Sequence, residues 1–546
     1  MVTLASPSVD DLVASLDPEQ RAAALLPDGP AQIIAPAGSG KTTTLIARLG
    51  VLVGRGVAPE RICVLTFNRD AAADLAERLR TRLAAHVPGA ERIEVRTLHA
   101  LALRILADAG RSTRVVADRL PLIRAARRRV LAVSPADAPP LPAAEELDGI
   151  LSLWKIEARP PGSELRAVFA TYGGLLAARG AIDFDDLVTG AADLLERDPA
   201  VRDRWQQRFS HVLVDEFQDV DAAQLRMARF IAAPHDNLFV VGDDDQTIYA
   251  WRLADVRRIL TFVELYPTAR RIQLATNYRC PVDVVTASRA LVGVNQERFV
   301  KRIDPSPSRT DDGPDTVVAC STAGHDWPDA LVALALREVR TNGGCCFLAR
   351  TRAELEPVSV ALLRAGVPHH SSVPPLVEHP RIAALADDLR STDAGRPPFA
   401  LLRTLRAGRG WARSGSDDAL GEEDHAALDA FLGWSVGFRG IRAFLAAFDT
   451  ARSRIAALRQ PDARIELVTV HASKGREWPT VLLLGWEQDR FPNRRSLTDA
   501  LDPARALEEE RRLAYVALTR ATQRAILCFD PAKPSRFLSE MGANPV

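Results

Sequence analysis

The segment APAGSGKT, Ala35 to Thr42, sets small residues and glycines directly ahead of a lysine and a threonine. Successive backbone N–H groups of such a loop, ending at a helix N-terminus, can surround anionic oxygens. The pattern is GxxxxGK[ST] with Ala35 in place of the first glycine. On this reading Ala37, Gly38, Ser39, Gly40, Lys41, Thr42 and Thr43 form a triphosphate cradle for a nucleotide such as ATP. Lys41 reaches the β- and γ-phosphates, and the Thr42 hydroxyl ligates Mg²⁺. The plain alternative is a chance glycine-rich turn.

HVLVDEFQDV, residues 211–220, supplies a second half of the chemistry. A strand that ends in adjacent acids can give one carboxylate to a metal and let the next polarise water, which makes Asp215 the Mg²⁺ partner and Glu216 the base. Alone, such a pair reads more simply as a helix start or a solvated turn. Beside a phosphate loop it reads as hydrolysis.

These groups need a scaffold. QIIAP (32–36), ICVLTF (62–67), Ile93 to Leu98, HVLVDEF (211–217) and LFVVGD (238–243) read as short strands, separated by helical stretches from Lys41 to about Leu52 and onward to Arg80. The alternation predicts an α/β fold, a parallel sheet with helices on both faces. Between about 100 and 205 strand patterns vanish and the chain reads as a helical insertion with a break at SPADAPPLPAAEE (134–146). After a polar loop at PSPSRTDDGPD (305–315), a second α/β unit is predicted from CCFLAR (345–350), IELVTV (465–470), TVLLLGW (480–486) and AILCF (525–529). It carries its own helical insertion from about 388 to 460, broken at AGRPP and RAGRGWARSGSDD.

At 546 residues the chain exceeds what one hydrophobic core supports. Its 47% hydrophobic and 26% charged residues and mean hydropathy of -0.05 exclude a disordered chain, and no run of eighteen apolar residues suggests a membrane span. The acidic start of the N-terminus points to the cytoplasm. Cys63, Cys280, Cys320, Cys345, Cys346 and Cys528 are scattered and read as reduced core residues, Cys345 and Cys346 on opposite sides of a strand. With 70 basic and 70 acidic residues, any groove for nucleic acid must be local. The only lysines are Lys41, Lys155, Lys301, Lys474 and Lys533, so a lysine kept inside a glycine-bearing motif, as Lys41 and Lys474 are, is informative.

Beyond these two motifs the chain resembles the UvrD/Rep-type superfamily 1A DNA helicases, from LDPEQ (16–20) to RRLAYVALTRA (511–521). The matches come in the family's order: TFNRDAAADLAERL (66–79), TLHAL (97–101), DFDDL (183–187), DEFQD (215–219), GDDDQTIYAWR (242–252), NYRCP (277–281) and TVHASKGREWP (469–479). The resemblance implies two RecA-like parallel-sheet P-loop domains, each with a mainly helical insertion. The first would span 1–100 and 181–275 with insertion 101–180, the second 276–387 and 461–546 with insertion 388–460.

It also implies roles. Gln20 resembles the adenine-reading glutamine, Tyr278 the base-stacking aromatic and Glu477 the ribose contact. Gln246 and Arg279 resemble the γ-phosphate contacts, and Arg520 the arginine finger, so that closure of the two units completes the site. For Arg520 the plain alternative is a surface helix charge, as it is for Arg511 and Arg512. Phe67, His99, Phe184, Tyr249, Trp251 and Arg252 correspond to the family's contacts with single-stranded DNA, joined by His471 and Lys474 from the second unit. Each aromatic taken alone reads as core.

Two departures stand out. The 388–460 insertion is short for the family, and EQDRFP (487–492) puts Asp489 where the family has glycine, so that the turn there is expected to differ. The chain end shortly after the last strand predicts no nuclease domain. The resemblance favours an ATP-dependent helicase moving 3′ to 5′ on single-stranded DNA and acting at single/double-strand junctions. Its rivals are a translocase that strips proteins, an ATP-switched DNA-binding module, and a P-loop ATPase unrelated to nucleic acid.

Overall fold

Neighbouring residues along each central strand face opposite ways, and both faces are buried. Cys63 and Leu65 pack on one side of the first sheet with Val212 and Val214, whereas Ile62 and Val64 pack on the other with Leu213. This is the period-two pattern of a parallel sheet covered by helices on both sides. The computed structural model describes residues 9–135, 139–309, 316–324, 326–372, 374–392, 397–411 and 422–542. They form two compact units: the chain up to Ala275 with Glu297–Arg302, and Thr276–Gln296 with the chain from Ile303 onward.

The first unit holds β1 (Ala31–Ile34), β2 (Ile62–Thr66), β3 (Glu94–Thr97), β4 (His211–Val214), β5 (Leu238–Gly242) and β6 (Arg270–Gln273). They pair in parallel in the order β3-β2-β4-β5-β1-β6. The sequence patterns announce the first five strands. The sixth, RRIQ, opens with two exposed arginines and lies at the sheet edge in register with Ala31, so no apolar run marks it. From Leu98 to Arg208 the described elements are helices, and Leu120–Leu131, Ala144–Glu157 and Ser163–Ala177 enclose a core of their own around Leu122, Leu147, Val168 and Tyr172. Of the Pro-rich break there, residues 136–138 lie outside the described chain.

In the second unit, β7 (Thr276–Asn277) and β8 (Asp304–Pro305) form a short parallel pair. Its main sheet takes β9 (Val317–Ser321), β10 (Cys345–Ala349), β11 (His370–Ser371), β12 (Ile465–Thr469), β13 (Trp478–Leu484) and β14 (Ala521–Phe529), all parallel, in the order β11-β12-β10-β13-β14-β9. The four strands expected from sequence are the central ones, and the edges β9 and β11 were not anticipated. Cys345 joins one core face with Phe347 and Ala349, and the intervening Cys346 is buried as well. Of the six cysteines only Cys320, on edge strand β9, is not buried.

Helices Pro380–Arg390, Pro398–Gly408, Glu422–Ser435 and Ile441–Leu458 make up the second helical region. Its core of Leu385, Leu402, Leu428, Phe431, Phe444 and Phe448 also takes in Val360 and Leu363 from helix Arg352–Ala365, so it is continuous with the flank of the α/β unit. The break predicted at RAGRGWARSGSDD is described only as far as Trp411, and AGRPP only at Pro397 and Pro398; the polar loop at 305–315 is described to Arg309. Among the described residues no helix is long and apolar enough to cross a membrane.

Candidate active site

In an open parallel sheet, side chains that meet ligands gather beyond the carboxyl ends of the strands. Beyond β1, the Ala35 N–H donates to Gly242 O at 2.8 Å, which joins the start of the phosphate loop to the end of β5. Gly38 and Gly40 adopt φ of 70° and 78°. At Gly40 a Cβ would also lie 2.5 Å from Gln20 Nε2, so both conformation and space call for glycine. Helix Lys41–Gly54 starts there, with Lys41 and Thr42 half-buried and Thr43 exposed. Lys41 Nζ donates to Ala35 O at 3.1 Å, folding the ammonium back across the loop. Gln20 is buried within an Asp17 capping box, and its Nε2 donates to Ser39 O at 3.0 Å, so this residue touches the cradle itself. Ala37 and Ser39 are buried, and Ser39 Oγ has no hydrogen-bond partner among the described residues.

Beyond β4, the Asp215 N–H donates to Leu65 O at 2.9 Å. Glu216 follows in the left-handed region, φ 51° and ψ 44°, which an L-residue with a side chain adopts at a cost of about 1–2 kcal/mol. Such strain at a carboxylate that sequence had marked as the base is characteristic of a functional position. The Thr42 hydroxyl and the Asp215 carboxylate are hard oxygen donors of the kind Mg²⁺ takes. The donor types fit Mg²⁺, which Thr42 and Asp215 would hold and which would neutralise phosphate charge.

Between them β5 delivers Asp243, Asp244, Asp245 and Gln246, all buried. Lys301, itself 1% exposed at its side chain, donates to Asp243 Oδ1 at 2.6 Å, lies 2.9 Å from Asp245 Oδ2 and pairs with Asp244. Arg298 makes a two-pronged contact with Asp245, at 3.0 and 2.7 Å. Burial raises the Asp243 carboxyl, but the Lys301 and Lys41 charges more than offset it and hold the group below its usual range. Asp244 goes the other way, pushed up to about 6 by burial, with Lys301 opposing and the two neighbouring acids adding. Gln246 Nε2 donates to Asp243 Oδ2 at 2.8 Å.

The same segment continues into aromatic residues. Tyr249 stacks on Phe67, with ring centroids 4.8 Å apart and planes at 21°. His99 and Phe184 meet edge to face at 6.1 Å. Phe67 and His99 follow the adjacent strands β2 and β3, so the two pairs stand over neighbouring strand ends. Phe184 is 47% exposed, and the exposed Arg252 is close enough for its charge to act on His99. The Trp251 side chain lies outside the described residues.

Phe184 opens helix Phe184–Arg197 behind the Asp183 cap. Asp183 Oδ2 accepts from Tyr172 Oη and from Lys155 Nζ, each at 2.7 Å, and from Arg119 at 3.3 Å. Burial raises this carboxyl, yet Lys155 and the Tyr172 hydroxyl bring it down to about 2.

The second unit groups another set. Arg279 Nε lies 2.6 Å from Glu477 Oε2, and one of its terminal nitrogens donates to Thr519 O at 3.3 Å. The residue taken for the γ-phosphate contact and the one taken for the ribose contact thus form an ion pair. Tyr278, directly after β7, is 40% exposed. Arg520 is 2% exposed, with Nε donating to Val516 O at 3.0 Å and a terminal nitrogen to Arg476 O at 3.1 Å. Arg511 and Arg512 are buried as well, the former paired with Glu540 and the latter with Glu508, so none of the three is a surface helix charge. His471 lies in the tight turn after β12, and Lys474 follows it, both half-buried. Asp489 adopts φ 71°, in the left-handed region that glycine favours.

Sequence reasoning overlooked Gln218, Asp243, Arg298 and Lys301 at the nucleotide edge, and Arg119, Lys155, Tyr172 and Asp183 behind Phe184. The available signal was the scarcity of lysine. Lys155 and Lys301 each place one compact ammonium among several carboxylates, Asp183 and Asp186 for the first and Asp243, Asp244 and Asp245 for the second.

The UvrD/REP helicase N-terminal domain family matches residues 16–138 and 141–267, and the UvrD-like helicase C-terminal domain family matches 439–530. The ATP-dependent DNA helicase PcrA of Bacillus subtilis is 27% identical over 648 positions covering 98% of this chain and 85% of that protein. UvrD2 of Mycobacterium tuberculosis, also named an ATP-dependent DNA helicase, is 30% identical over 614 positions, covering 98% and 83%. With a phosphate loop, a paired acid and an aromatic cluster on one sheet edge, and with relatives aligned along nearly its whole length, the chain belongs to the UvrD/Rep-type superfamily 1A of ATP-dependent DNA helicases.

Proposed function

We propose that this helicase hydrolyses MgATP with Glu216 as base, Thr42 and Asp215 as metal ligands, and Gln246, Arg279 and Arg520 on the γ-phosphate. The oxygen of a water forms a bond to the γ-phosphorus, the bond from that phosphorus to the β–γ bridging oxygen breaks with its electron pair leaving on ADP, and the proton passes to Glu216. Gln20, Tyr278 and Glu477 hold base and sugar. Phe67, His99, Phe184, Tyr249, Trp251, Arg252, His471 and Lys474 contact single-stranded DNA, on which the protein moves 3′ to 5′ and opens single/double-strand junctions, in the cytoplasm, in repair or replication. The divisions at about 100, 180, 275, 387 and 460 then separate two motor domains from their helical insertions.

The observation that carries this reading is the continuity of Asp243 to Arg252. One end holds Gln246 against Asp243, and the other stacks Tyr249 on Phe67. A change at the nucleotide is thereby transmitted to the aromatic grip through a few residues of chain. The test is hydrolysis with and without single-stranded DNA, followed by unwinding of duplexes with a 3′ or a 5′ tail. Absence of DNA stimulation, or preference for the 5′ tail, would contradict it.

A second reading, a translocase that removes bound proteins with little unwinding, is supported by the second helical region. Its core is continuous with helix Arg352–Ala365, and the alignment with PcrA runs to 648 positions against 546 residues here, so that relative carries residues this chain lacks. DNA-stimulated hydrolysis without strand separation would favour it.

A further inference from the structure

Gln218 follows Glu216 in the turn after β4 and is wholly buried, although it is an uncharged polar residue with no part in the chemistry outlined above. Its amide is used at both ends. Nε2 donates to Glu216 Oε2, and Oε1 accepts from the Asp243 N–H at 3.0 Å. The orientation is forced, because the carboxylate needs a donor and the backbone N–H an acceptor. The same Asp243 accepts from Gln246 through Oδ2 and from Lys301 through Oδ1. Room for the amide exists because residue 242 is glycine: a Cβ there would lie 2.5 Å from Gln218 Oε1 and 2.8 Å from Ile259 Cδ1.

We propose that Gln218 is a positioning residue for ATP hydrolysis, fixing the Glu216 carboxylate and tying it through Asp243 to the Gln246 amide. The proposal rests on the reading of Glu216 as base and Gln246 as γ-phosphate contact. Two features support the link. The hydrogen bond pins one of the two oxygens of a side chain whose backbone is already held in the left-handed region. Finally, β4 and β5 are adjacent strands, so the amide spans the shortest gap between the residue that activates water and the segment that senses the phosphate. Any displacement of Asp243 when Gln246 engages a phosphate is then felt at Glu216 without passing through the nucleotide.

The experiment compares Gln218→Met and Gln218→Glu in the full chain, with Glu216→Gln as a control, measuring kcat and KM for ATP with DNA present. Gln218→Met keeps the volume and removes both hydrogen bonds. It is expected to lower kcat by about 10- to 100-fold, the order for a misplaced catalytic group, with KM for ATP within about twofold because no nucleotide contact is lost. Gln218→Glu still accepts from the Asp243 N–H but loses the donor to Glu216 and sets a like charge against it, so it too is expected to lower kcat with KM for ATP within about twofold, a split that a merely structural role would not produce. Wild-type kcat in either variant, or a KM that rises in step with the fall in kcat, overturns the proposal. If the Met variant does not fold, the isosteric Glu variant decides alone. Full activity in Glu216→Gln would instead overturn the assignment of the base, which separates that failure from this one.

Discussion

Tyr249 stacks on Phe67 at 4.8 Å between centroids, and three residues earlier on the same short segment Gln246 donates to Asp243 at 2.8 Å. The residue proposed to contact the γ-phosphate and the aromatic pair therefore share one short piece of chain. Tyr249→Ala removes one ring of the platform. Stacking of a base on an aromatic side chain contributes about 1–3 kcal/mol, so the DNA concentration for half-maximal stimulation of hydrolysis should rise by about 5- to 100-fold. An unchanged concentration would separate Tyr249 from DNA binding.

Lys41→Ala removes the one ammonium of the phosphate loop and is expected to abolish both nucleotide binding and turnover. Glu216→Gln should retain nucleotide binding while losing about 10²- to 10⁴-fold in rate, the range for a general base. Equilibrium binding of a fluorescent ATP analogue beside steady-state hydrolysis distinguishes the two. Loss of binding in Glu216→Gln would contradict its assignment.

Burial lowers the His99 imidazole below its usual 6.5, with Asp185 opposing and the Arg252 charge adding to the effect. The folded protein binds this proton less readily than the unfolded chain, so His99 favours the fold above pH 6.5 and disfavours it as pH falls below. His99 should be neutral at pH 7, its NMR titration midpoint lying below 6.5. A midpoint above that value would contradict the lowering by burial.

The phosphate loop and the acidic pair were legible because each is a contiguous word whose residues act side by side. Lys301 was not, because its partners Asp243 to Asp245 are distant in sequence and only the fold brings them together. β6 escaped because an edge strand needs no apolar alternation, and RRIQ has none. Phe184, which taken alone reads as core, is instead 47% exposed beside His99, because a single aromatic carries no sign of which face its helix buries. At Asp489 the backbone stands at φ 71°, a left-handed conformation that aspartate tolerates at modest cost.

That conformation makes a prediction of its own. Asp489→Gly restores the residue that left-handed φ favours and should stabilise the protein by up to about 1 kcal/mol, read as a higher denaturation midpoint. A lower midpoint would show that the Asp489 side chain contributes more than its backbone strain costs.

Behind Phe184, Tyr172→Phe removes a buried hydroxyl from Asp183 while Lys155 and Arg119 remain. The expected loss is about 1 kcal/mol, the usual worth of one buried hydrogen bond, measured by denaturant unfolding. No loss would mean that Lys155 and Arg119 alone satisfy the carboxylate.

Lys301 and Arg298 lie on Glu297–Arg302, which belongs to the first unit although the chain on either side of it belongs to the second. The first unit is therefore not a continuous length of polypeptide. A fragment ending at Ala275 would carry the phosphate loop and the acidic pair and still bury three adjacent carboxylates without Lys301 or Arg298. During synthesis the same holds until residue 302 has left the ribosome. The nucleotide domain is finished only by amino acids translated after the chain has already begun its second half.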